Sequence, residues 1–354
     1  MSREGGESAG GTGGAGDGAH RPRPGRAARR RARRRPPPLP QRDGLDAVRW
    51  QVPTGTAPGR SALELLRERF PALEEAGATP LGERFADGQI VDADGRPWAA
   101  TDPVGPGEEL WFHRELRAEE VPGTPLPVLH HDEHLLVIDK PHDVATMPRG
   151  AHILASALVR LRRATGIESL VPLHRLDRRT AGVLAFGIRP EERSSYQQLF
   201  ARRAVDKQYE ARVLPEPGSS LPRRPGERLT LRDRLHKEHG ELTTQVLPGP
   251  VNAETELEVL AVEDSGLLRL GLRPRTGRTH QLRAQLAARG APILGEDLYG
   301  SGRLPPRPEP DLPLQLLARR LAFADPCTGE PREFVSAREL GAGSSTAGSR
   351  TLRP

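Results

Sequence analysis

Cys327 is the only cysteine in a chain of 354 residues, and Lys140, Lys207 and Lys237 are its only lysines. One cysteine excludes a disulfide framework and a multi-cysteine zinc site. So few lysines leave the positive charge to arginine, and any groove for nucleic acid must come from local arginine clustering. No apolar run is long enough to cross a bilayer and no apolar h-region marks a signal peptide, so a cytoplasmic chain without a membrane partner is expected. The eleven histidines are scattered. His130, His131 and His134 cluster, but without a carboxylate or cysteine pattern that makes a metal site, and they read as surface residues. Neither a metal nor an organic cofactor is expected.

The formal charge is +6, and its distribution tells more than its sum. In residues 1–43 eleven arginines face four acidic residues, which gives that stretch +7 and leaves −1 for the remainder. The tail is glycine-rich to Gly18 and then Arg/Pro-rich through Arg35. It holds too little apolar surface to fold and is expected to be disordered, serving either as an electrostatic tether or as a dispensable leader. Residues 44–116 read as a small α/β module. Ser61 would cap a helix through Phe70 with Leu63, Leu66 and Phe70 on one stripe, and Gly88–Gly95 reads as a strand and turn before a further strand ending at Phe112. Residues 117–340 have the length of a larger domain, and 341–354 read as a flexible tail.

The most informative segment runs Leu173-His174-Arg175-Leu176-Asp177-Arg178-Arg179-Thr180-Ala181-Gly182. It offers one carboxylate among arginines, a setting in which an aspartate stays ionised and can act as a nucleophile. An isolated R-x-D is more often a solvated charge cluster. Here the apolar run Val183–Phe186, bounded by Gly182 and Gly187, has strand length, so Asp177 sits in a turn feeding a buried strand. His134–Ile138 is a second such run, stopped at Pro141. A basic stretch follows from Arg273 to Arg283. There Thr279 has the chemistry of an N-cap, Leu282 and Leu286 share one face and Gly290 supplies a stop, which puts Arg283 in the first turns of a helix, away from its apolar stripe.

Taken in order, these blocks resemble the RluA type of RNA pseudouridine synthase. His134–Pro141 resembles the opening strand and N-K-P turn of that family, and His174–Gly182 its H-R-L-D-x-x-T-S-G signature. Lys207-Gln-Tyr209-Glu-Ala-Arg resembles its K-x-Y-x-A strand. Arg275–Arg283, with Gly290–Gly295 and Tyr299-Gly300, completes a match over roughly residues 125 to 335. The resemblance implies that Asp177 is the catalytic aspartate, that Arg283 pairs with it, and that Tyr209 packs on the target base. Arg175 would help hold a flipped-out nucleotide, and His174, Arg275, Arg278, His280 and Gln281 would contact the RNA. The implied substrate is structured RNA, rRNA ahead of tRNA, handled by a monomer. Residues 44–116 are similar in element order to the alpha-L RNA-binding module often fused in front of such synthases. Three positions depart from the family pattern: Ala181 replaces serine, Asp139 replaces asparagine, and Leu317 replaces the histidine of L-x-L-H-A.

The expected body is α+β, a mixed and largely antiparallel sheet with helices near Ile153–Ala164, Glu191–Arg203 and Thr279–Arg289. Glu254–Val262 and Leu267–Arg273 read as a hairpin joined across Asp264-Ser265-Gly266. Pro215–Arg228 and Ser301–Pro313 read as surface loops. Two rivals remain at this level. A glycoside hydrolase would need a second carboxylate where the signature supplies arginines. A catalytically idle RNA-binding protein would explain the departures, but not why Asp177, Tyr209 and Arg283 stand together.

Overall fold

A computed structural model of the chain describes residues 36–75, 77–116, 119–150, 152–263, 266–300 and 312–341. Most of the Arg-rich tail, the turn residues Asp264 and Ser265, the loop 301–311 and the segment 342–354 lie outside the described residues. Two compact units emerge, one built mainly from residues 49–71 and 80–112 and the other from 113 onward with two short earlier segments.

In the smaller unit β1 (Val48–Gln51) pairs with β2 (Glu109–Phe112). Helix α1 (Ala62–Arg69) starts at Ser61 with a full capping box, in which the Ser61 hydroxyl accepts the Glu64 N–H while the Glu64 carboxylate accepts the Ser61 N–H. Each satisfies a donor that the first turn leaves open. The buried stripe is Ala62, Leu65 and Leu66, with Leu63 only half-buried, so the expected register turns by one position. Helix α2 (Leu81–Ala86) adds Leu81 and Phe85 to this small core. The strand expected over Gly88–Gly95 reduces to bridges at Val91, because Asp92 accepts the N–H groups of Asp94 and Arg96 and closes a turn immediately after it.

The larger unit is an α+β body around one eleven-stranded sheet. Its strands are β3 (Val128–His131), β4 (Leu135–Lys140), β5 (Val171–Pro172), β6 (Ala181–Gly187), β7 (Asp206–Val213), β8 (Arg228–His236), β9 (Gln245–Leu247), β10 (Ala253–Val262), β11 (Leu268–Pro274), β12 (Leu316–Ala324) and β13 (Pro331–Val335). They run in the order β3-β4-β6-β12-β7-β11-β10-β8-β9, with β5 on β6 and β13 on β12. Only β6 and β12 pair in parallel among these strands.

Strands β4 and β6 are buried along their whole length, which explains their continuous apolar runs. Leu136, Ile138, Leu184 and Phe186 pack beneath helix α3 (Ala157–Thr165). Leu135, Val137, Val183 and Ala185 pack with Tyr196 of helix α4 (Arg193–Ala201) on the opposite face. At the other end of the sheet burial alternates. Leu257 and Val259 of β10 face a core closed by Leu282 and Leu286 of helix α5 (Gln281–Ala287), while Glu254, Glu256 and Glu258 face outward and pair with Arg232, Arg275 and Arg228. The expected hairpin is present, with Val262 opposite Leu268. Among the described residues no helix is long and apolar enough to cross a membrane.

Candidate active site

Asp177 lies in the turn between β5 and β6, and backbone bonds from three directions hold it there. The Thr180 N–H donates to the Asp177 carbonyl (3.0 Å). The Thr146 hydroxyl donates to the Leu176 carbonyl (2.8 Å) and accepts the Leu176 N–H (3.1 Å). From the end of β4, the Lys140 ammonium spends its three donors on the carbonyls of Pro141 (2.9 Å), Val144 (2.8 Å) and Arg178 (3.1 Å). Burial pushes Lys140 down to about 7, against the pull of Asp143 and Asp177. Arg179 reaches the carbonyls of Gly295 (2.6 Å) and Leu312 (3.0 Å) and pairs with Asp297 (3.2 Å). Gly182, the second residue of β6, has φ +111°, and a Cβ there would stand 2.2 Å from the Ala318 carbonyl oxygen. Only glycine lets β12 approach this closely.

A cleft of about 690 Å³ opens over Asp177. Its walls are the 173–177 turn with Thr180, the start of β7 with Lys207 and Tyr209, and the segment Arg273–Arg283. Tyr209 faces the cleft from β7, and burial, with Asp177 nearby, raises its hydroxyl well above the usual phenol range. Asp177 is 22% exposed at its side chain, and His280 is its one ion-pair neighbour among the described residues, with Nε2 3.8 Å from Oδ1. Arg175 is exposed on the same wall.

Several expected roles change. Arg283 lines the cleft but does not pair with Asp177. Its Nε donates to Glu296 (2.7 Å), and its Nη2 binds both Glu296 and Asp297 (2.8 Å to the latter). Arg283 and Glu296 are each 3% exposed, so the arginine is buried rather than solvated, because these two acids follow its helix and fold back beneath it. Thr279 is not the cap of α5. His280 holds that position in the left-handed region, φ 53° and ψ 24°, and caps with no side-chain bond.

Gln281 is buried and saturated. Its oxygen accepts from the Thr276 hydroxyl (2.8 Å) and the Arg278 N–H (3.0 Å), and its amide donates to the Glu254 carbonyl (3.1 Å) and Thr255 (2.9 Å). It fastens the basic loop to β10 and has no donor left for RNA. The His174 ring stacks on Phe200 at 5.1 Å, and its Nε2 accepts the Ala185 N–H (3.2 Å). Burial, with Lys207 nearby, holds it down to about 3, so it serves as a neutral strut. Arg275 forks onto Glu256 (2.8 and 2.9 Å), and Arg278 donates to the Asn252 carbonyl (3.2 Å).

Sequence reasoning did not assign Lys140, Thr146, Lys207, Glu296, Asp297 or Tyr299 to the site. Lys140, Lys207 and Tyr299 stood inside recognised blocks, which was a usable signal; Thr146 carried none. One group with metal-ligand chemistry also appears among the described residues, just before the start of β4 and away from the cleft. His134, Glu192 and Cys327 place ligand atoms within 4.8 Å of one another, and His134 Nδ1 already lies 2.9 Å from Glu192. The sequence reading found no carboxylate or cysteine partner for these histidines, since both come from distant segments.

Residues 134–288 match the family model described as RNA pseudouridylate synthase. An uncharacterised RNA pseudouridine synthase of Synechocystis sp. is 32% identical over 230 residues, covering 63% of this chain and 75% of the relative. The dual-specificity RNA pseudouridine synthase RluA of Salmonella typhi is 31% identical over 225 residues, 59% of this chain and 91% of its own. The chain belongs to the RluA family of RNA pseudouridine synthases. It is thus an isomerase that converts uridine to pseudouridine in RNA. The ribosomal large subunit pseudouridine synthase D of Xylella fastidiosa is 29% identical over 315 residues, 80% of this chain and 87% of that one.

Two departures of this synthase from the family pattern sit together. Ala181 and Leu317 are register partners across the parallel β6–β12 pair, so a polar pairing position has become apolar on both strands. The third has its own compensation. The buried Asp139 carboxylate accepts from the Ser336 hydroxyl (2.8 Å) and the Ala337 N–H (2.9 Å), and pairs with Arg338 (3.3 Å).

Proposed function

We propose that Asp177 is the carboxylate that acts on the target uridine, and that the substrate is large-subunit rRNA. One observation carries the first part. The cleft is lined by six arginines and Lys207 but only two acids, Asp177 and Asp206. Asp206 is engaged by Arg320, whereas no guanidinium engages Asp177 among the described residues. A carboxylate left unquenched at the floor of a basic cleft has the chemistry to attack or assist a flipped-out nucleotide whose phosphates the rim attracts. The C1′–N1 bond breaks, the base turns, C1′ bonds to C5, and the proton lost from C5 is balanced by one gained at N1.

The second part is supported by the extent of likeness. The match to the Xylella large-subunit enzyme spans more of this chain than residues 113–354 can supply, so it includes part of the smaller unit. The match to the dual-specificity enzyme is short enough to fit within the larger unit. Tritium release from uridine-labelled RNA tests the first claim. Asp177→Asn is expected to bind RNA and melt normally yet retain less than about one part in a thousand of wild-type turnover. Residual turnover well above that level would remove Asp177 from the reaction. Carbodiimide-based sequencing of total RNA, with and without the gene, tests the second; a lost site in tRNA alone would refute it.

A further inference from the structure

Three features converge on His280. Its backbone is left-handed, a conformation uncommon for a residue with a Cβ, and here it turns the imidazole into the cleft rather than along α5. Its Nδ1 lies 2.8 Å from the Tyr299 hydroxyl, whose ring meets the imidazole edge-on at 5.8 Å. The same hydroxyl oxygen accepts the Thr244 N–H at 2.8 Å. The Thr244 side chain also interacts with this hydroxyl, and we assign the Tyr299 proton to Nδ1, 2.8 Å away. That leaves the imidazole hydrogen on Nε2, the atom 3.8 Å from the Asp177 carboxylate. A backbone amide therefore sets a hydroxyl, the hydroxyl sets a tautomer, and the tautomer aims one N–H at the reacting group. The same logic of orienting an imidazole through its other nitrogen governs many histidine sites.

We propose that His280 is the positioning residue for Asp177, donating from Nε2 to the carboxylate as substrate closes the cleft, with Tyr299 fixing its tautomer. This reading rests on Asp177 being the reacting carboxylate. A neutral imidazole suits the task, because one N–H fixes the rotamer of the carboxylate without quenching it as a full ion pair would. The groups facing the ring set its charge. Burial together with Arg283 and Lys237 disfavours the imidazolium, while Asp177 and Glu296 favour it, and the balance lies below the ordinary histidine range. The ring is therefore neutral at pH 7. As pH falls through the lowered pKa, Nδ1 takes a proton, the Tyr299 bond must reverse, and the imidazolium quenches the carboxylate.

Four variants, read by kinetics and by NMR, test this. His280→Ala is expected to lower kcat about 10- to 100-fold, the effect of a misplaced reacting group, while RNA affinity and its salt dependence stay within twofold. His280→Gln keeps an N–H near the Nε2 position and cannot titrate, so it should recover most of the turnover and lose the acid limb that the wild type shows in kcat. Tyr299→Phe should cost several-fold in kcat on the wild-type background and much less on His280→Gln. In the free protein, ¹⁵N NMR should report hydrogen on Nε2, and Asp177→Asn should lower the His280 pKa further. Normal kcat in His280→Ala with weaker, less salt-dependent binding would make His280 a phosphate contact and overturn the proposal. Hydrogen on Nδ1, or a His280 titration indifferent to Asp177→Asn, would also overturn it. A wild type that forms no pseudouridine would refute the functional reading alone, since the NMR result stands apart from turnover.

Discussion

The two walls of the cleft are built on opposite principles. The Asp177 wall is fastened through backbone carbonyls and amides, by Lys140, Thr146 and Arg179, and leaves its carboxylate uncommitted. The Arg273–Arg283 wall is fastened through its own charges. Arg275 is bound to Glu256, and Arg283 to Glu296 and Asp297. Two arginines of the basic motif itself are therefore the least available to RNA. Arg175, Arg203, Arg273 and Lys207 have no acidic partner among the described residues and face the cleft. Counting cations overstates an electrostatic surface unless those already neutralised are set aside.

Removing a charge from each wall should give unlike results. Arg283→Met leaves Glu296 buried without its partner, and the loss of a buried pair by truncating one member costs about 3–5 kcal/mol. Urea unfolding at pH 7 should register that loss, and a change below about 1 kcal/mol would mean that the pair is effectively solvated.

Lys140 gives a pH-dependent contrast. Its pKa of about 7 in the folded chain lies below the unfolded value near 10.4. Between those values the unfolded chain binds more protons, so this residue's contribution raises stability as pH increases through that window. Thermal melting from pH 7 to 9.5 should show a smaller rise, or a larger fall, for Lys140→Met than for the wild type. Parallel curves would mean that Lys140 does not titrate there.

The smallest effects belong to the rim. Arg175→Ala should reduce the slope of log affinity against log salt by about 0.7 to 0.9, one phosphate contact. Arg275→Ala should leave the slope nearly unchanged, because Glu256 already neutralises that guanidinium. Equal slopes for the two variants would erase the distinction between committed and free arginines.

Much of this was legible from local pattern. The strand-length apolar runs after His134 and Gly182 became β4 and β6, and Ser61 became a capping residue, because period, length and cap chemistry are properties of a short stretch of chain. Gly182 is similar: the signature supplied the glycine, and the parallel approach of β12 explains it. The errors also share a cause. The motif predicts that Arg283 pairs with Asp177 and that His174 and Gln281 contact RNA, yet each satisfies a partner far away in sequence or folded back against it. A residue's type fixes how many donors and acceptors it has, but not who claims them first.

The sequence alone determined that the body would be α+β, that Asp177 would sit in a turn before a buried strand, and that the family blocks would occur in order. Composition and near-neighbour geometry suffice for such properties, since hydrophobic period and turn chemistry act over a few residues. Tertiary structure alone decided which charges remain available. It placed Glu296 and Asp297 against Arg283, Lys140 against three carbonyls of the Asp177 turn, and Tyr299 against His280. The reason is physical: a buried polar group must find a partner wherever the fold brings one, and the cost of leaving it unpaired outweighs any preference written in its own motif.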